Sequence, residues 1–152
     1  MAPMNPVETK KFFSVIEANR ALPLVKRIVA DIVQQWQTVS ELRGRLSGLS
    51  RPDRARRTGD VYEEELAHSQ SELEIEEEKL QAFADELTKL GVELKGPDSG
   101  LCDFPTLKDG REVYLCWRLG EPEVQHWHEV NTGFSGRQPL ATLTGGRGGR
   151  AH

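Results

Sequence analysis

Two cysteines, two methionines and 7% aromatic residues are thin provision for a chain of 152 residues, and each shortage excludes something. Two cysteines cannot staple a small secreted scaffold. Charged residues interrupt every apolar run well short of the roughly 20 residues that span a bilayer, so no membrane span is expected. The first eleven residues place their lysines after their few apolar residues and hold no apolar stretch of signal-peptide length, which makes a cytoplasmic chain the expectation. The sequence has no Gly-x-Ser-x-Gly elbow, no glycine loop that opens a helix beneath a phosphate, and no His-Glu-x-x-His. With no nucleophile motif, whether the chain is an enzyme stays open. A chain of this length can bury about 70% of its unfolded surface and needs neither disulfide nor metal to fold.

The net charge of −4 conceals a partition. Residues 1–59 carry +6, residues 60–91 carry −9 and residues 92–152 carry −1. The basic cluster Arg51, Arg54, Arg56 and Arg57 adjoins an acidic block that includes Glu63, Glu64, Glu65, Glu72, Glu74, Glu76, Glu77 and Glu78. Neighbouring blocks of opposite sign screen one another, within the fold or across a dimer. Nucleic acid is therefore not the expected partner, because phosphate affinity needs basic surface that nearby acids do not cancel.

Ser14 and Glu17 have capping-box spacing and start a helix. Pro23 is read as a break after Leu22 and the first residue of a second, longer helix, since proline suits a first turn and not an interior. Val25, Ile32, Val39 and Leu46 recur by seven, with Ile28, Leu42 and Leu49 between them. Ser50–Asp60 has turn composition. Leu66, Leu73, Leu80 and Leu87 then recur by seven in turn, and Gly91 is placed as a C-cap. Two seams of matched length around a short polar loop make an antiparallel helical hairpin. Gln35, Ser69 and Glu76 interrupt its middle layers, and each helix presents a single stripe. The hairpin is therefore expected to pack on the sheet, on a second copy in a homo-oligomer, or on a protein partner.

From Val92 the period changes from helical to alternating. Val92–Lys95, Leu101–Leu107, Glu112–Arg118 and Val124–Val130 read as strands, the last in competition with a helix starting at Pro122. Asp109-Gly110 is a strong hairpin turn. The expected architecture is α+β: one domain over residues 1–141, with helices over 12–91, an antiparallel β-meander over 92–141, and a disordered tail at 142–152. If Asp109 and Gly110 are the two turn residues, Asp103 opposes Cys116 and Cys102 opposes Trp117, so the cysteines point to opposite faces and do not pair. Cys102, Phe104, Val113, Leu115 and Trp117 form the apolar face. Across the next turn His126 opposes Cys116 and His128 opposes Tyr114. The other face then collects Asp103, Cys116, His126 and His128, a ligand set suited to zinc or iron. Arg118, Glu121, Glu129 and Arg137 form a second polar group, in which Arg118 can clamp an anion and a carboxylate can move a proton.

The strings Gly100-Leu101-Cys102-Asp103-Phe104-Pro105, Trp117-Arg118-Leu119-Gly120-Glu121-Pro122, Trp127-His128-Glu129 and Gly133-Phe134-Ser135-Gly136-Arg137 resemble those of a family of small uncharacterised bacterial proteins grouped as a domain of unknown function. The segment from Phe13 to Ile28 resembles that family's opening. The resemblance runs over about residues 11–140 and implies no reaction. It does imply where the recognisable side chains lie: Asp103, Arg118, Glu121, Trp127, His128, Phe134 and Arg137, all in the sheet. Arg118, Glu121, Trp127, His128 and Arg137 are accordingly the expected ligand-binding residues. Two functions follow as expectations, a binding or interaction module that self-associates through its hairpin, or a metal-binding protein or metal-dependent enzyme whose site lies on the polar face of the sheet.

Overall fold

The computed structural model describes residues 10–49 and 59–143, so the polar loop with its arginine cluster lies outside the described residues. Helix α1 runs Val15–Leu49 and α2 runs Asp60–Lys89. They are followed by five strands, β1 Glu93–Gly96, β2 Leu101–Lys108, β3 Arg111–Arg118, β4 His126–Glu129 and β5 Gln138–Pro139. The strands pair in sequence order, every pair antiparallel, as a meander. Among the described residues no helix is long and apolar enough to cross a membrane.

The capping box at the start of α1 forms in both directions. The Ser14 N–H donates to Glu17 Oε1 at 2.9 Å and the Glu17 N–H donates to Ser14 Oγ at 3.0 Å. Pro23 does not break the helix, contrary to the expectation from sequence, and lies inside one continuous α1. Its ring faces solvent, while Ala18, Leu22 and Val25 on either side are buried. The loss of one backbone bond, roughly 3 kcal/mol in an isolated helix, is outweighed by packing. Two contacts from the same stretch tie α1 to the loop before β4. Asn19 Oδ1 accepts from the Val124 N–H at 2.7 Å, and Lys26 Nζ donates to the Pro122 carbonyl at 3.0 Å.

The first half of α1 lies against the sheet. Ala18, Leu22, Val25, Val29 and Ile32 join Cys102, Phe104, Val113, Leu115 and Trp117 in one core. Its second half pairs with α2, and the polar layers anticipated there are satisfied: Gln35 Nε2 donates to the Glu76 carbonyl at 3.0 Å and to Glu76 Oε1 at 2.7 Å. The Tyr62 hydroxyl donates to the Leu49 carbonyl at 2.8 Å, joining the last residue of α1 to the first turn of α2. Gly91, at φ 90°, ends α2 by donating to the Thr88 carbonyl at 2.9 Å.

Asp109 (φ 52°) and Gly110 (φ 82°) both occupy the left-handed region that a two-residue hairpin turn requires. That turn sets the β2–β3 register, with Asp103 opposite Cys116 and Cys102 opposite Trp117. The β3–β4 register sets Cys116 opposite His126 and Tyr114 opposite His128. Both registers agree with the expectation, and the segment after Pro122 forms a strand, though it is shorter than Val124–Val130. Gly100, at φ 78°, is required by close approach as well as by conformation, because a Cβ there would stand 2.6 Å from the Leu119 Cβ.

The end of the chain departs from the reading in two respects. Strand β5, only two residues long, leaves no alternation to read. Thr142 and Leu143, assigned to a disordered tail, are part of the fold: the Trp127 Nε1–H donates to Thr142 Oγ1 at 2.8 Å and Lys108 Nζ donates to the Leu143 carbonyl at 2.8 Å. The remainder of the assigned tail, 144–152, lies outside the described residues.

Candidate functional site

Alternation along β2, β3 and β4 puts Asp103, Tyr114, Cys116, His126 and His128 on the face turned away from α1. That face is closed rather than washed by solvent. Asp103 is 2% exposed, Cys116 0% and His128 2%. Each comes from a different strand, and their ligating atoms all lie within 4.8 Å of one another.

His128 is held at both nitrogens. Nε2 lies 3.0 Å from Asp103 Oδ1 and Nδ1 lies 2.6 Å from the Glu129 carbonyl oxygen. A carbonyl only accepts, so Nδ1 carries a hydrogen and Nε2 is the nitrogen directed at Asp103 and Cys116. Tyr114 packs beside the imidazole, with ring centroids 5.5 Å apart, and its hydroxyl donates to Glu93 Oε1 at 3.0 Å. Burial pushes the Asp103 carboxyl above its ordinary range, against the opposing pull of the His128 hydrogen bond. Burial first, and the Asp103 charge second, push the Cys116 thiol up to about 12. On the other face, burial pushes the Cys102 thiol up to about 12 as well, and both cysteines are free.

The second polar group divides. Glu121 receives Arg137 through two guanidinium nitrogens, each at 2.7 Å, and accepts the Arg118 backbone N–H at 2.8 Å. Arg137 also donates to the Cys116 carbonyl at 3.3 Å, and the guanidinium groups of Arg118 and Arg137 lie over the Phe134 ring at 5.0 and 4.6 Å. Glu129 belongs elsewhere, paired with Arg111 at 2.5 Å. Burial alone would raise the Glu121 pKa, but its hydrogen bonds to Arg137 and to the Arg118 N–H overcome it and hold the carboxyl below its ordinary range. A depressed carboxylate contributes stability that is complete above its unfolded value, near 4.3, and is lost as pH falls through the lower folded-state value. Wild type should thus be more stable than Glu121→Gln at pH 7, and the gap in urea midpoint should close as the pH is lowered toward 3. A gap that stays constant with pH would count against the ion pair.

Of the side chains singled out from sequence, Asp103, Cys116 and His128 come together as one cluster. His126 shares their face but lies outside that group of three. Arg118, Glu121 and Arg137 gather around Phe134. Trp127 does not join them: it is 2% exposed and belongs to the apolar core on the opposite face. Tyr114 opposes His128 as expected, whereas the reading missed Glu93 and Lys95 as neighbours of the cluster. Their signal was available in the strand pairing, since Glu93 opposes Asp103. It also missed Asn19, for which no periodic signal exists.

The model of an uncharacterized conserved protein family, DUF2203, matches residues 11–140. No curated protein and no solved structure matches the chain.

Proposed function

The chain belongs to the DUF2203 family of uncharacterized conserved proteins, and from that premise we propose that it is a metal-binding protein whose sheet holds a divalent transition metal at Asp103, Cys116 and His128. One observation carries the reading: a carboxylate, a thiol and an imidazole from three adjacent strands converge within 4.8 Å in the interior. Oxygen, sulfur and nitrogen donors together suit zinc, or iron, better than the hard cations, which take oxygen alone. The hydrogen bond from His128 Nδ1 to the Glu129 carbonyl is the outer contact that metal-ligating histidines ordinarily make, and it leaves Nε2 for the ion. A metal would displace the Cys116 thiol proton on binding.

Elemental analysis of protein purified without a metal-affinity tag is the test. About one zinc or iron per chain is expected, lost in Cys116→Ala with the fold retained by circular dichroism. A wild-type chain that stays empty after dialysis against zinc would end this reading.

A second reading concerns the helices. Of the 30 residues of α2 only Ser69 and Leu87 are buried, and Ile16 and Leu24 on α1 and Ile75 on α2 stand open. These features favour the hairpin as a docking element, through which the chain self-associates or meets a protein partner. Light scattering on the full chain should then find a species heavier than 17.1 kDa. A monomer at every concentration would remove self-association.

A further inference from the structure

His126 has a buried Nδ1 with no hydrogen-bond partner among the described residues. Buried polar atoms are nearly always paired, so an orphan of this kind asks for an explanation. Its place in the sheet supplies one. His126 is directly opposite Cys116 across β3–β4, as Asp103 is directly opposite Cys116 across β2–β3. Cys116 therefore has a carboxylate on one side and an imidazole on the other, in a single row across three strands. His128, two residues along β4, falls in the next row of the same face. Directly opposed residues have Cβ atoms about 4.5–5.5 Å apart, which puts the His126 ring within reach of an ion bound at about 2.3 Å from the sulfur.

We infer that His126 turns its ring to become the fourth ligand when a divalent ion binds at Asp103, Cys116 and His128, closing a tetrahedral site of one sulfur, one oxygen and two nitrogens. The inference rests on the metal-binding reading and sharpens it. Only side-chain torsions need to change, because β4 is fixed on both sides: His126 pairs with Cys116 and with Pro139, and the Leu140 N–H donates to the Gln125 carbonyl at 3.1 Å. Ring rotation also gives the orphaned nitrogen a partner. Four protein ligands leave no position for a reactive water, so the closed site stabilises the fold and does not hydrolyse a substrate. Zinc fits this geometry, and cobalt(II) can report on it in its place.

The test is titration of the full chain with cobalt(II), followed by absorption. Wild type should show a near-ultraviolet thiolate charge-transfer band together with the intense visible bands of four-coordinate cobalt. Cys116→Ala should lose the charge-transfer band. His126→Ala, and His126→Asn as a check should the alanine variant misfold, should keep that band, weaken cobalt binding at least about tenfold and alter the visible bands as water replaces nitrogen. If the His126 variants match wild type in both spectrum and affinity, the fourth-ligand inference is overturned and the three-residue site stands. If wild type shows no thiolate band with cobalt, the three-residue site fails, and the fourth ligand with it.

Discussion

His128→Ala should cost the fold about 3–5 kcal/mol, read as a fall in urea midpoint at unchanged slope. The residue is part of a pair in which both side chains are 3% exposed, with Nε2 and Oδ1 3.0 Å apart. Removing the imidazole leaves the Asp103 carboxyl in the interior without its strongest partner, and an uncompensated buried group is far more costly than the net worth of the contact. The same logic makes the losses non-additive. Asp103→Ala with His128→Ala should be less damaging than the two single losses added together, since neither partner is then left alone. An additive cycle would mean that the two side chains are not energetically coupled in the folded state. His128→Gln, which can still present a donor to Asp103, should recover part of the loss, although it cannot keep both of the ring's hydrogen bonds. Because the same substitution removes a proposed ligand, added zinc should raise the wild-type midpoint and leave that of His128→Ala where it is.

The pairing of Asp103 with Cys116 could be read from sequence because a two-residue turn permits only one register, and Asp-Gly named the turn. The capping box and the second heptad series were legible for a similar reason: each is a local rule that tertiary contacts here reinforce. Pro23 misled because its cost is local and the packing that offsets it is not. Ala18, Leu22 and Val25 bury themselves on strands about 80–100 residues further along the chain, which no window of sequence displays. Alternation also told which side chains share a face without telling what closes it. The polar face is sealed because Tyr114 packs against His128 and Arg137 reaches back from beyond β4 to the Cys116 carbonyl. Which histidine meets Asp103 lay deeper still. Register puts His126 opposite Cys116, and side-chain torsion brings His128 to the carboxylate, so the choice between them is a matter of rotamers that strand pairing does not decide.

Trp117→Ala should take about 3–5 kcal/mol, a third or more of the stability of an ordinary domain. Trp117 is the largest of the fully buried side chains, and it lies in the same core as Val25, Val29 and Ile32 of α1. It also anchors the turn after β3, donating from Nε1 to the Glu121 carbonyl at 3.0 Å. The Glu121 side chain holds Arg137, and Arg137 holds the Cys116 carbonyl, so the substitution loosens the closed face from the opposite side of the sheet. Trp117→Phe separates the two contributions, since it keeps most of the packing and loses the hydrogen bond, worth about 1 kcal/mol. One position earlier, Cys116→Ala should leave the midpoint in metal-free buffer close to wild type while abolishing the response to zinc. Neighbouring residues would then divide cleanly, Trp117 governing stability and Cys116 governing metal. A Trp117→Ala chain that unfolds at the wild-type urea concentration would mean that the apolar face is not seated on α1, and Asp103, Cys116 and His128 would then have no interior to share.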